Sequence, residues 1–585
     1  MMGTTHKATT REYRSWLVAS AVALLLLGHY AAFAKDAAII SGRDIFHPVF
    51  ARHGMVSSQE ATATAIGVEI LKRGGNAVDA AVAVGFALTV TLPRAGSVGG
   101  GGFMMVHMAE SGKTVAIDYR EMAPAGATGD MYLDAEGKVD KKRARFSYSS
   151  VGVPGTVAGM ALALKKYGTM RLAEVMAPAI YLAGNGITVS PQMADILEKR
   201  QKRFAKHPTT AAIFLRADGH ALASGEQLVQ QDLAGSLRQI AEQGPDAFYR
   251  GAIASQIAAD MAANGGLITM QDLANYSAVE RTAVHGTYRG HDIYSMPPPS
   301  SGGVHLIQLL NILEDYPIQF LGHNTADSIH LMTEAMKLAY ADRSHYLGDP
   351  DFWKVPVAGL TSKAYAAKLR EKISVRYATP SKNISPGNPL PYESNETTHF
   401  SIMDNAGNVV SNTYTLNFSF GTGIVAAGTG ILLNNEMDDF SAKPGVPNAY
   451  GLVGGKANAI EPHKRPLSSM TPTIVFRNGK ALLATGSPGG SRIITTTLQI
   501  IMNVVDHNMN IATATAAARI HHQWLPDKLR VEVGISEDTL DLLSAMGHNI
   551  APGNAMGSTQ TVMRIDQGFF GAADPRRVGA LARGY

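Results

Sequence analysis

Glu393-Ser394-Asn395-Glu396-Thr397-Thr398-His399-Phe400-Ser401 is the stretch on which the reading of this chain turns. Before it runs Thr379-Pro380-Ser381-Lys382-Asn383-Ile384-Ser385-Pro386-Gly387-Asn388-Pro389-Leu390-Pro391, a polar, Pro- and Asn-rich segment with the composition of a flexible surface linker. After it, Thr398 to Met403 alternates, Asp404 to Asn408 has turn chemistry, and Val409 to Thr415 alternates again, which predicts a β-hairpin. A mobile linker is thus expected to deliver a strand that starts at Thr397. A threonine hydroxyl is a poor nucleophile unless a base sits beside it. A free α-amino group, with a pKa of about 7.7–8.0, is such a base. A chain cut before Thr397 would carry hydroxyl and base on one residue.

The composition allows this chemistry and excludes much else. The chain has 585 residues, 45% hydrophobic and 17% charged, which is globular and too long for one ordinary domain core. Its net charge of +4 over that length is no footprint for nucleic acid. There is no cysteine, so disulfides, thiolate–metal sites, iron–sulfur clusters and a cysteine nucleophile are all excluded. No cofactor or metal site is expected.

Lys7, Arg11 and Arg14 precede the apolar run Trp16 to Gly28, and Ala32-Phe33-Ala34 follows as a small-x-small cleavage pattern. This is the form of a secretory signal peptide over 1–34, the alternative being an uncleaved anchor. A mature chain beginning near Lys35, exported and free of cysteine, fits a bacterial periplasm.

Within the mature chain, Ser57-Ser58-Gln59-Glu60 reads as a capping box with Ser57 as cap, opening a helix that Gly74-Gly75 stops. Ala77 to about Val90 predicts a buried helix. Gly99 to Gly102 leads into a strand at Phe103, and Asp118-Tyr119-Arg120-Glu121 ends the next one. Residues 155–375 alternate helical patterns with turns. Pro444 to Gly455 reads as an ordered loop.

Several familiar sites fail. Ser111-Gly112-Lys113-Thr114 lacks the phosphate-loop glycine, since position 107 is His. The four glycines at 99–102 do not match a dinucleotide fingerprint, and no Gly-x-Ser-x-Gly elbow occurs. His521-His522 would point to opposite sides of a strand and lack a third ligand, which favours structural roles. Taken alone, Arg120-Glu121 could be a surface ion pair and Asp438-Asp439 a cap.

Thr397-Thr398-His399-Phe400-Ser401, Asn417, Gly421-Thr422-Gly423, Leu432 to Phe440, Pro466-Leu467-Ser468-Ser469-Met470 and Gly486-Ser487-Pro488-Gly489-Gly490-Ser491-Arg492, in this order, resemble γ-glutamyltransferase (γ-glutamyl transpeptidase) from about residue 40 to Tyr585. The resemblance implies an α+β fold, the four-layer αββα sandwich of N-terminal nucleophile hydrolases, formed jointly by two subunits. It implies self-cleavage between Glu396 and Thr397 into a large subunit (35–396) and a small one (397–585), held as a heterodimer. Thr397 would attack in both cleavage and catalysis, assisted by Thr415. Arg120, Ser468 and Ser469 would bind the α-carboxylate of the γ-glutamyl group. Asn417, Glu436 and Asp439 would hold its α-amino end, and Gly489 and Gly490 would offer N–H donors to the oxyanion. Tyr450, in the loop 444–455, would cover the pocket.

This agrees with elementary chemistry. A zwitterionic head needs a planar cation for its carboxylate and acidic acceptors for its ammonium. The implied partners are glutathione and other γ-glutamyl donors, with amino acids, dipeptides or water as acceptors. Two other functions remain open: a cephalosporin (glutaryl) acylase on the same scaffold, and a γ-glutamyl binding protein that never matures.

Overall fold

The computed structural model describes residues 44–389 and 401–585, and Phe46–Tyr585 form one unit. The segment 1–34 expected to be a signal peptide, Glu396, Thr397, His399 and the first residues of the expected hairpin lie outside the described residues.

Two seven-stranded antiparallel sheets organise the unit. The first runs in the order Val49–Ala51, Gly568–Ala573, Gln560–Ile565, Lys480–Thr485, Thr473–Arg477, His291–Ser295 and Val284–Tyr288. The second runs Leu581–Gly584, Gly54–Ser58, Ser401–Asp404, Val409–Thr415, Gly101–Met108, Lys113–Tyr119 and Val279–Thr282. Residues from both sides of position 397 interleave in the second sheet: Ser401 pairs with Ser57 on one side and Ser411 on the other, and Thr415 pairs with Gly101.

Side-chain alternation defines the layers. Phe103 and Met105 of the second sheet share a buried cluster with Ile474, Phe476, Ala484 and Val562 of the first, so the sheets pack face to face. Their neighbours Met104 and Val106 point the other way, into a cluster with Val82, Val84 and Phe86 of the helix Ala77–Thr91. All fifteen residues of that helix are buried, which explains its apolar character on every side. Its one acid, Asp79, completes a capping box with Asn76 and also accepts from the Thr169 and Met170 N–H groups. Helices Gly302–Leu313 and Ile511–Ala516 cover the outer face of the first sheet. The result is the expected αββα sandwich.

Two expectations need correction. Ser57 does not cap a helix: it lies inside the strand Gly54–Ser58, and Glu60 caps the helix Ala61–Lys72 by accepting from Thr62 N and Ala63 N. Ser57 is held in the sheet by pairing with Ser401 and Ala582, so the cap falls to the residue just before the helix. The segment after Thr379 is not loose up to Pro389. Ser381 is fully buried and its N–H donates to Asp527, while Gly387 donates to Asp342 and accepts from Tyr346. Proline and asparagine signal irregular backbone, and irregular backbone can still be pinned by side chains from elsewhere.

The expected hairpin is present as Ser401–Asp404 and Val409–Thr415. Among the described residues no helix is long and apolar enough to cross a membrane.

Candidate active site

The strand Lys113–Tyr119 delivers Arg120 to the wall of a cavity of about 560 Å³. The Arg120 backbone is fixed first. Its N–H donates to Asp118 at 3.0 Å and its carbonyl accepts from the Tyr276 hydroxyl at 2.8 Å. The guanidinium then has no freedom left: Nε donates to the Pro466 carbonyl (3.1 Å), Nη1 to Glu436 (2.5 Å) and Nη2 to Asp439 (2.6 Å). Arg120 and Glu121 are both 0% exposed, which removes the surface ion pair as a reading.

Three carboxyls crowd this one cation, because Glu121 lies 3.5 Å from Nη1. Burial outweighs the attraction of Arg120 and pushes the Glu121 carboxyl up to about 7, and Glu436 rises well above its ordinary range for the same reason. Arg120 itself is held firmly protonated against its burial by Glu436, Asp439 and Glu121. Among the described residues Oε2 of Glu436 is buried without a hydrogen-bond donor, and the Glu121 carboxyl has only backbone N–H groups, those of Gly101 and Glu121, beside it. Such acceptors are costly unless a donor arrives.

Glu436 and Asp439 stand at the two ends of a 3₁₀ turn, Glu436–Asp439. The amides before it set the turn. Asn434 accepts from the Glu436 and Gly152 N–H groups and donates to the Gly99 and Gly152 carbonyls. Asp438 turns away to Arg145 at 3.0 Å, so of the two adjacent acids only Asp439 meets Arg120.

Ser468 and Ser469 lie on the same wall. Ser469 Oγ accepts from Arg343 Nη2 at 3.0 Å, and Arg343 Nε donates to Ser301 at 2.8 Å. The sequence reading missed Arg343. It stands on the helix Ala326–Tyr346 among the buried polar residues Glu334, Lys337 and Asp342, and no local sequence pattern marks it as interior. Burial lowers the Arg343 guanidinium to about 10.

Thr415 ends its strand, and its Oγ1 accepts from Asn417 N at 2.8 Å. Asn417 has φ 70°, a left-handed conformation that asparagine tolerates. Its side chain donates to the Asn435 carbonyl and accepts from the Tyr450 hydroxyl at 2.7 Å. That bond anchors the ordered loop 444–455, whose Asn448 side chain accepts from Tyr450 N and Leu452 N.

The Gly489-Gly490 turn completes the wall. Gly489 has φ 143° and Gly490 φ 58°, and a Cβ at Gly490 would lie 2.6 Å from the Tyr450 ring. Among the described residues neither N–H is bonded to an acceptor. Every site residue expected from the sequence that falls in the described range lines this one cavity: Arg120, Thr415, Asn417, Glu436, Asp439, Tyr450, Ser468, Ser469, Gly489 and Gly490. Thr397 and Glu396 lie outside the described residues.

The adjacent histidines divide as expected. His521 meets Thr495 and Gln523, and His522 meets Asp527. His330, Glu334 and His548 are grouped closely enough to hold an ion, but Glu334 is already engaged by Lys337 at 2.7 Å.

Comparison with known proteins decides the family. The Gamma-glutamyltranspeptidase family model matches residues 63–584. The chain belongs to the γ-glutamyltranspeptidase family. It is 59% identical to the glutathione hydrolase proenzyme of Escherichia coli strain K12, over 93% of each chain. Among solved structures it resembles the cephalosporin acylase of Bacillus halodurans, with TM-score 0.82 and 28% identity over 94% of this chain and 99% of that one. It also resembles the γ-glutamyltranspeptidase of Helicobacter pylori, with TM-score 0.57 and 46% identity over 59% of this chain and 97% of that one. For a γ-glutamyltranspeptidase, a buried arginine clasped by two acids beside an unbonded pair of glycine N–H groups forms a coherent site.

Proposed function

We propose that this chain is an exported proenzyme that cuts itself between Glu396 and Thr397. It then moves γ-glutamyl groups from glutathione and related donors to amino acids, dipeptides or water. The products of the cut are residues 35–396 and 397–585. Strands from both pieces alternate in the second sheet, so the pieces would stay together as a heterodimer without a covalent link.

The observation that carries this reading is Arg120 buried between Glu436 and Asp439. Arginine has five N–H donors. Three are used here, so two remain for an α-carboxylate, which Ser468 and Ser469 flank. The unpartnered oxygen of Glu436, with Asp439 and Asn417, is suited to the α-ammonium.

In the mature site the free amine of Thr397 takes the hydroxyl proton as Oγ attacks the γ-carbonyl. Gly489 N–H and Gly490 N–H stabilise the oxyanion. The C–N bond breaks, the leaving amine takes the proton, and a γ-glutamyl ester remains. Water or an acceptor amine then attacks the ester by the same route in reverse.

The acylase-like fold neighbour keeps a glutaryl substrate in view. A glutaryl group has no ammonium, and would leave the buried Glu436 oxygen without a donor. Comparing γ-glutamyl and glutaryl anilides tests this, with the γ-glutamyl anilide expected to be preferred by about a hundredfold or more. For the reading as a whole, Thr397→Ala is expected to abolish both chain cleavage and turnover, while Thr397→Ser retains part of both. A Thr397→Ala protein that still yields two fragments and turns over would overturn it.

A further inference from the structure

The cavity wall carries, besides the residues above, two cations that the site described so far does not use. Arg492 closes the 3₁₀ turn Gly490–Arg492, two residues beyond the proposed oxyanion donor. Arg530 lies on the strand Leu529–Val531, opposite His521, and reaches the same cavity. The contrast with Arg120 is chemical. Arg120 is held by two carboxylates, whereas neither Arg492 nor Arg530 has a hydrogen bond or ion pair from its side chain among the described residues. Partial burial, and after it the like charge of Arg530, lowers the Arg492 guanidinium below its usual value. His521, buried behind them, is pushed down to about 3, chiefly by burial and also by the positive field of both arginines. Two half-buried guanidiniums without a counter-charge make a site that an anion would relieve.

Position identifies the anion. The α-carboxylate and α-ammonium of a γ-glutamyl group are assigned to the Arg120 part of the wall, and the reacting carbonyl to Gly489-Gly490. What lies beyond that carbonyl is the amine being released, and later the amine that accepts. We propose that Arg492 and Arg530 form a carboxylate subsite for the leaving and accepting amine, so that the chain favours γ-glutamyl peptides with a free C-terminal carboxylate. This rests on the function proposed above, and it adds a second charge requirement at the opposite end of the substrate. The same pair would serve both half-reactions, because the acceptor takes the place the leaving amine has vacated.

The test uses the mature enzyme with matched substrates: a γ-glutamyl dipeptide bearing a free C-terminal carboxylate, and the same compound as its C-terminal amide. One charge-assisted contact from a partly exposed arginine predicts that the acid exceeds the amide by about tenfold in kcat/KM. Arg492→Gln and Arg530→Gln should each collapse that ratio towards one, and Arg530→Lys should keep part of it. A ratio near one in the unaltered enzyme overturns the subsite without requiring any variant. So does a ratio that survives in both glutamine variants. Failure of the underlying reading looks different: no γ-glutamyl compound, including a simple γ-glutamyl anilide, would be turned over at all.

Discussion

Two parts of the cavity wall handle charge in opposite ways. Around Arg120, one cation meets two buried carboxyls, Glu121 and Glu436, and the part-buried Asp439. At Arg492 and Arg530, two cations meet no carboxylate among the described residues. A pocket that were merely a packing defect would be charge-matched or apolar throughout, since unpaired buried charge is costly. The imbalance in each part is what a ligand with an ammonium at one pole and a carboxylate at the other would neutralise. It also separates the energetics: changes around Arg120 should disturb both folding and binding, and changes at Arg492 and Arg530 should disturb binding alone.

Arg120→Gln should have the largest effect. It leaves Glu436 and Asp439 buried without their cation, and is expected to cost about 3–5 kcal/mol of stability and about a thousandfold in kcat/KM. Thermal melts and donor kinetics read the two losses. Arg120→Lys should rescue little, because an ammonium cannot reproduce the fork that meets two acids and a carbonyl at once. Arg492→Gln sharpens the contrast: its stability should stay within about 0.5 kcal/mol of the parent. If the two glutamine variants melt alike, the distinction between the two parts is wrong.

Gly490→Ala should come next, lowering kcat about a hundredfold. The new Cβ meets the Tyr450 ring at 2.6 Å and must adopt φ 58°. Removing the ring in a Gly490→Ala, Tyr450→Ala double variant should recover part of the loss, and strict additivity would contradict the steric cause. Tyr450→Phe is milder. It deletes the hydroxyl's bond to Asn417, worth about 1 kcal/mol, and should cost about fivefold in donor kcat/KM while leaving the ring in place.

The smallest effect concerns pH. Glu121 is raised to about 7, so its ionised form, which favours a bound ammonium, is lost as pH falls through 7. Donor KM should therefore rise on acidification across that range. The same shift has a stability sign. A carboxyl whose folded pKa is raised favours the fold fully below about 4.5, and that contribution disappears as pH rises to about 7. Glu121→Gln should remove that decline from the melting profile. It should also flatten the rise in KM across that range, because glutamine does not titrate. An unchanged KM profile would exclude Glu121 from this role.

Much of the site was legible because its residues sit in short, spaced motifs. Pro466 to Met470, Gly486 to Arg492 and Leu432 to Phe440 each placed residues on the cavity wall. Arg120 was legible in position but not in partnership, since its acids lie more than 300 residues away and no local pattern encodes that distance. Arg343 escaped because a buried arginine on a long helix resembles any surface arginine until the helix is seen to be interior. The linker reading failed for a related reason: composition reports backbone irregularity, whereas Asp527, Asp342 and Tyr346, which pin the segment, come from elsewhere in the chain. The buried helix Ala77–Thr91 was the easy case, because an all-round apolar pattern leaves no other place for it.

The central claim is that a backbone amine is liberated at one threonine, and N-terminal sequencing of active, purified protein tests it most directly. Two chains are expected in equal amounts, the smaller beginning Thr397-Thr398-His399. Full activity in a protein whose only N-terminus lies near Lys35 would contradict it.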